Sequence, residues 1–193
     1  MSTPTNPAVL AEKILTVGHS NRSLPEFVEV LRSAEIQTLI DVRRFPMSRR
    51  HPHFNIGPLR DELASIGVAY RHLPELGGYR ESRGTQCQSP NDGWPSGFLR
   101  NYADYAMTET FQAALTAFRQ SLRPRSALMC AEKSWRDCHR QIISDYLMAN
   151  GHQVTHLVDA EIHEDGRLTA FARLLDKNTI HYRANPAQLR LDV

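Results

Sequence analysis

The chain alternates short apolar runs with longer stretches whose apolar positions recur every three or four residues. That is the pattern of buried strands alternating with amphipathic helices. Ile14-Leu-Thr-Val-Gly18 is the first run and predicts a strand. Ser23-Leu-Pro-Glu26 reads as a capping box with proline in the first helical turn. Phe27, Val28, Val30, Leu31 and Ala34 then keep one helix face apolar. Residues 38–43 predict a second strand. Strand, helix and strand within about 30 residues make a βαβ unit.

The alternation continues along the chain. Residues 58–66 predict a short helix stopped by Gly67, and residues 68–73 a third strand. Helices follow over 97–107 and after Thr108, where Phe111, Leu115, Phe118 and Leu122 share a face. Residues 126–130 predict a fourth strand, 138–150 a helix ended by Gly151, and 153–158 a fifth strand. The tail from Asp159 predicts one short helical piece near Leu168–Leu175 and otherwise polar chain. Residues 74–96 carry Gly77, Gly78, Gly84 and Gly93 and little periodicity. A loop of that length is usually functional. Its place after the third strand predicts a lid packed down by Trp94, with Arg80 and Arg83 reaching a ligand. The whole predicts a single α/β domain over 1–193 with its core at 14–158 and a C-terminal extension at 159–193. Its centre is an open, mostly parallel, Rossmann-like sheet of about five strands with helices on both faces.

Composition narrows the class. The 193 residues are 41% hydrophobic and 23% charged, an ordinary globular balance. No apolar run reaches the ~18 residues of a membrane helix, so no membrane partner is expected. The first ten residues lack a basic stretch followed by an apolar one, so the expectation is a cytoplasmic protein. Three cysteines, an odd number, argue against a disulfide framework. The net charge of +2 does not by itself point to nucleic acid. Of the 23 basic residues, 20 are arginine. Codon usage accounts for that blandly; functionally, arginine forks suit phosphate and carboxylate.

In open parallel sheets, ligands bind beyond the carboxyl ends of the strands. The first strand delivers Gly18, His19, Ser20 and Asn21; the second Asp41 and Arg43; the third His72 and Glu75. The fourth delivers Cys130, Glu132 and Lys133, with Cys138, His139 and Arg140 opening the next helix. Asp41, Arg43, His72, Glu75, Glu132 and His139 are therefore expected near one cleft with the Gly18–Asn21 turn. That turn is a natural anion site at a helix N-terminus, although with one glycine it is neither a phosphate-binding Walker loop nor a dinucleotide fingerprint. Residues 42–54 hold four arginines, two histidines and no acid. Either they are a solvated basic loop, or Arg43, Ser48, Arg49 and His53 meet phosphates and Phe54 anchors the loop or stacks on a base.

Cys130 to Arg140 leaves three alternatives open. A metal site would use Cys130, Cys138 and His139, but Cys-x7-Cys-His is not the usual zinc spacing and a further ligand such as His19 is needed. A thiolate nucleophile would use the Cys-x5-Arg spacing of Cys130 and Arg136, though the loop lacks glycine. The third alternative is structural packing of both thiols. Glu132 is a separate acid/base candidate, or the partner of Arg140 or Arg43.

Six ordered motifs resemble the domain-of-unknown-function 488 family. They are Thr16-Val-Gly-His-Ser-Asn-Arg22; Asp41-Val-Arg with Pro46-x-Ser-Arg; Arg-x-Pro-x-Phe over 50–54; Tyr70-Arg-His-Leu-Pro-Glu-Leu-Gly-Gly78; Tyr102-x-x-Tyr105; and Leu128-Met-Cys-Ala-Glu132 with Cys138-His-Arg140. The resemblance runs from about residue 14 to 158. The resemblance implies a small α/β protein and an expectation of nucleotide or nucleic-acid processing. It moves Cys130, Glu132, Cys138, His139 and Arg140 forward and leaves Arg136 outside the motif. The leading expectation is a phosphate-bearing ligand, a nucleotide or nucleic acid, with hydrolysis the first reaction class to test. Gly18, Ser20, Asn21, Arg43, Ser48, Arg49, His72, Glu75 and Arg140 would hold it. Asp41, Glu132 or His19 would supply acid/base chemistry, beside Cys130, Cys138 and His139. No cofactor follows from the sequence. The alternatives are a non-catalytic binding module, and a metal or redox sensor built on Cys130, Cys138 and His139.

Overall fold

The apolar runs become strands in the structure, a computed structural model that describes residues 13–81, 89–95, 97–176 and 178–184; all but the edge strand at 69–72 are buried on both sides. β1 (Lys13–Gly18), β2 (Thr38–Asp41), β3 (Ala69–His72), β4 (Ser126–Cys130) and β5 (Gln153–Leu157) run parallel. A sixth strand, β6 (His163–Asp165), pairs antiparallel with β5, and the order across the sheet is β3-β2-β4-β1-β5-β6.

Strand side chains alternate between two cores, as a period of two requires. Leu15, Val17, Leu39, Ala127 and Met129 face one layer, with Phe27 and Leu31 of α1 (Leu24–Ser33) and Leu59 and Leu63 of α2 (Ile56–Ser65). Ile14, Ile40, Leu128 and Cys130 face the other. That layer holds α3 (Phe98–Ala106), α4 (Glu109–Gln120) and α5 (Arg140–Ala149), through Tyr102, Phe111, Phe118, Ile142 and Tyr146. The capping box forms: Ser23 accepts from the Glu26 backbone, and Glu26 accepts from the Ser23 backbone. Among the described residues no helix is long and apolar enough to cross a membrane.

Three expectations change. β2 stops at Asp41, two residues early, because Arg43 turns back onto the Asp41 carboxylate. The sheet gains the antiparallel β6, which leaves six strands rather than about five. The tail is not helical at 168–175. It forms a hairpin of β7 (Ala172–Asp176) and β8 (Thr179–Tyr182). The spacing of Leu168, Phe171, Leu174 and Leu175 imitates a helix face, but Leu174 and Leu175 stay exposed while Ile180 and Tyr182 of β8 enter the core.

Trp94 packs against Phe171 and Tyr182, with ring centroids 4.8 and 5.5 Å apart. It therefore ties the segment after β3 to the tail rather than to the strand ends. Arg80 lies over the Tyr105 ring at 3.7 Å and donates to the Glu75 carbonyl at 2.8 Å. Arg83, the other arginine expected in a lid, lies outside the described residues.

Candidate functional site at the carboxyl ends of the strands

β4 sits between β1 and β2. The chain leaves β1 and β2 through α1 and α2 on one face, and leaves β4 through α5 on the other. Connections that diverge from adjacent strands open a crevice at their carboxyl ends, the place where such sheets bind ligands. Two glycines let the backbone close around it. A Cβ on Gly18 would lie 1.8 Å from the Glu132 carbonyl oxygen, and one on Gly78 would lie 2.4 Å from His139 Nδ1.

A buried polar cluster occupies the β4–α5 junction. Cys130 ends β4, and Cys138 and His139 immediately precede α5. Their eight-residue separation closes to 2.9 Å between the two Sγ atoms. Glu132 Oε2 is 3.0 Å from Cys130 Sγ and 3.3 Å from Cys138 Sγ. His139 Nδ1 is 3.5 Å from Cys138 Sγ. Both thiols are wholly buried and His139 nearly so, while Glu132 reaches solvent.

His139 Nε2 is 3.1 Å from the Val42 carbonyl. A carbonyl only accepts, so Nε2 carries a hydrogen, and Nδ1 is the ring atom that faces Cys138 Sγ. Arg140 underlies the group at 1% exposure. Its Nε and its backbone N–H each lie 3.4 Å from Cys138 Sγ, and Nη2 donates to the Glu132 carbonyl at 2.6 Å. Burial alone would raise the Cys138 pKa. The hydrogen bond from Cys130, with His139 and Arg140 beside it, holds that thiol well below the usual range. Burial and the same shared hydrogen bond push Cys130 the other way.

The second assembly centres on Arg43. Asp41 is fully buried and accepts from the Arg43 backbone at 3.0 Å, from Arg43 Nε at 2.9 Å and Nη2 at 2.6 Å, and from the Tyr70 hydroxyl at 2.7 Å. Arg43 Nη2 also donates to the Phe54 carbonyl at 2.7 Å, and His72 Nε2 reaches the Arg43 carbonyl at 2.8 Å. His19 Nδ1 donates to the Ser20 carbonyl at 2.9 Å, so Nε2 is the acceptor facing Arg43 Nη1 at 3.2 Å. Burial, then Arg43, lowers the His19 pKa to about 4, so the ring is neutral at neutral pH.

Two adjoining cavities open over these groups. The larger, about 480 Å³, is lined by His19, Ser20, Asn21, Arg43, Ser48, Arg50, His51 and Lys133, among others. The smaller, about 260 Å³, has Cys130, Glu132 and His139 among its lining residues, beside Arg44, Phe45, Gly78, Tyr79 and Phe98. Arg43, Phe45, Ala131 and Glu132 line both. Cavities of about 440 and 560 Å³, lined in part by Leu15 and Leu122 and by Trp135 and Glu164, contain none of the cluster residues.

The structure thus brings His19, Ser20, Asn21, Arg43, Ser48, Cys130, Glu132 and His139 to one place. Asp41 lies beneath it, spent on Arg43 and Tyr70. His72 only buttresses the Arg43 backbone. Arg49 is exposed and Glu75 meets Tyr105 and Arg80 through its carbonyl; neither lines the cavities. Arg140, expected at a phosphate, is sealed under the thiols. Two N–H groups of the Gly18–Asn21 turn are spent inside the protein: those of His19 and Ser20 bond the Cys130 and Ala131 carbonyls at 2.9 and 2.8 Å. Arg136 points away, pairs with Glu164 at 2.9 Å and covers Trp135, so the Cys-x5-Arg loop does not form. Sequence reasoning missed Phe45, Met47, Tyr79 and Phe98, which stand exposed around the cavities. The signal was Phe45 and Met47 lying inside an otherwise basic, polar segment.

Fold and cluster define the class: an open, mostly parallel α/β protein with paired thiols, an imidazole and a carboxylate at the carboxyl edge of its sheet. The chain belongs to the family described as domain of unknown function DUF488, whose model matches residues 23–147. The matched residues include every member of the thiol cluster and stop short of the His19 turn on the N-terminal side. No curated protein and no solved structure matches the chain.

Proposed function

We propose that the chain binds a phosphate-bearing ligand, a nucleotide or single-stranded nucleic acid, in the paired cavities. The observation that carries this is their lining: Arg44, Arg50 and Lys133 stand against one acid, Glu132, while Arg43 is already balanced by Asp41, and beside them Phe45, Tyr79 and Phe98 are exposed. Cationic side chains meet phosphate, and exposed rings stack on bases without regard to sequence. Of the three acid/base candidates, Asp41 and His19 have their polar atoms engaged inside the protein. Glu132 is the one that reaches solvent, so any hydrolytic step would draw on it.

Fluorescence anisotropy with a labelled single-stranded oligonucleotide, and competition by free nucleotide, tests this. Affinity is expected to fall with salt by about 0.7 log units per log unit of salt for each phosphate contacted. Arg50→Ala and Lys133→Ala, both near the cleft mouth, should each weaken binding and flatten that slope by about one contact. Absence of binding at low salt to both oligonucleotide and nucleotide would sink the proposal. So would binding that Arg50→Ala and Lys133→Ala together leave unchanged.

A further inference from the structure

We infer that Cys130, Cys138 and His139 hold a soft divalent cation, Zn²⁺ before any other, with Glu132 as a fourth and displaceable ligand. Two Sγ atoms, one imidazole nitrogen and one carboxylate oxygen lie within 4.8 Å of one another. Thiolate and imidazole donors select zinc over the hard cations magnesium and calcium. Tetrahedral zinc sets its ligand atoms roughly 3.3–3.8 Å apart, so the thiols at 2.9 Å would spread by under about 1 Å and the widest separations, up to 4.8 Å, would close by a similar amount.

The His139 ring supplies an independent observation. Its Nε2–H is fixed on the Val42 carbonyl at 3.1 Å, the outer hydrogen bond that metal-bound imidazoles make, and this leaves Nδ1 as the donor atom. Nδ1 thus points into the cluster, 3.5 Å from Cys138 Sγ, with Cys130 and Glu132 in the same group.

Charge supplies another. Two thiolates and Glu132 would carry three negative charges, of which Arg140 balances one. A divalent cation balances the other two. Without it, ionising both buried thiols would be prohibitive. Uptake therefore releases the thiol protons to solvent, and no other covalent bond changes.

Glu132 differs from the other three in being exposed and in lining both cavities. When a water or a substrate oxygen replaces it, three protein ligands and one open position remain, the arrangement of catalytic rather than structural zinc. That position faces the smaller cavity. The metal inference does not depend on the phosphate ligand: each can hold without the other, and the oligonucleotide assay run on chelator-treated protein keeps them apart.

The test uses the full chain, reduced and metal-free, titrated with Co²⁺. Thiolate-to-cobalt absorption should rise to one equivalent and be abolished by one equivalent of Zn²⁺. Cys138→Ser and Cys130→Ser should each lower affinity at least ~10-fold, as should His139→Gln, whereas Cys87→Ser should leave it unchanged. If the serine variants fail to fold, alkylation of the wild type read by mass spectrometry decides instead: Zn²⁺ should protect Cys130 and Cys138 and leave the labelling of Cys87 unaltered. The inference is overturned if reduced wild-type protein takes up no cobalt, if cobalt binds without the thiolate band, or if Zn²⁺ protects neither thiol. A protein that binds no cobalt but joins the same two thiols on mild oxidation would be a dithiol–disulfide couple, which also overturns it.

Discussion

Arg43 shows how far a single residue can be read from sequence. A cation at a strand end needs a partner, and the partner proves to be internal: Asp41, two residues earlier, with the Arg43 guanidinium only 8% exposed. The expectation that Arg43→Ala would cost binding rather than stability therefore reverses. Removing one member of a buried pair strands the other charge, which costs ~3–5 kcal/mol. Urea unfolding of Arg43→Ala should show a loss of that size. A loss under 1 kcal/mol would mean that water reaches Asp41 and that the pair is dispensable. Arg140 follows the same logic. Its sequence spacing gave no hint that its guanidinium would lie beneath the thiols, because the contacts reach back to Thr16 on another strand. The thiols themselves were visible as candidates. Their meeting at 2.9 Å was not, since an eight-residue separation matches no zinc spacing and closes only when α5 folds back beside β4.

At the scale of elements, the strands and helices with clear periodicity were legible to within a few residues. The tail was not. Leucines at helical spacing outweighed the alternation of Thr179-Ile-His-Tyr182, which marks β8. What fixes the hairpin is a long-range contact: the Tyr182 hydroxyl donates to Asp145 Oδ2 at 2.9 Å, while the Thr169 backbone donates to Oδ1 at 2.9 Å. Asp145 thus fastens α5 to both sides of the tail. Burial raises its pKa from 3.8 to about 6, against the hydrogen bonds from Thr169 and Tyr182. Between those two values the folded chain binds more protons than the unfolded one. Its contribution to stability must therefore fall as the pH rises from about 4 to 6, and level off above. The total is on the order of 3 kcal/mol. Asp145→Asn keeps an acceptor for Thr169 and offers Tyr182 a donor, without the charge. Its stability relative to wild type should climb across that window; parallel curves from pH 4 to 7 would count against a raised Asp145.

At the scale of the molecule, the class of fold and the location of the site both followed from one rule, that polar chemistry gathers where parallel strands end. The order of the strands did not follow from anything local. βαβ logic makes β1 and β2 look like neighbours, yet β4 lies between them. The pairing is decided by which edges are buried on both faces, a property of the finished sheet. The same geometry explains why the aromatic rim of the cavities was missed: Phe45 comes from the β2–β3 connection, and Tyr79 and Phe98 from distant points of the β3–β4 connection, so they meet only in the folded chain.

That inserted strand constrains how the chain comes off the ribosome. β1 hydrogen-bonds only to β4 and β5, and β2 only to β3 and β4. Until Ser126 and its successors have emerged, β1 has no strand to pair with, and the first half of the sheet is two fragments with unsatisfied edges. β2 can pair with β3 as soon as the latter emerges, but β1 stays unpaired from Gly18 until Ser126 follows, a long exposure during which chaperones or aggregation compete. A fragment of residues 1–125 should therefore give no cooperative thermal transition, while one of residues 1–184, which keeps β4 and the Tyr182 contact to Asp145, should recover one. A cooperative melt in the shorter piece would show that β1 finds a partner the finished sheet does not use.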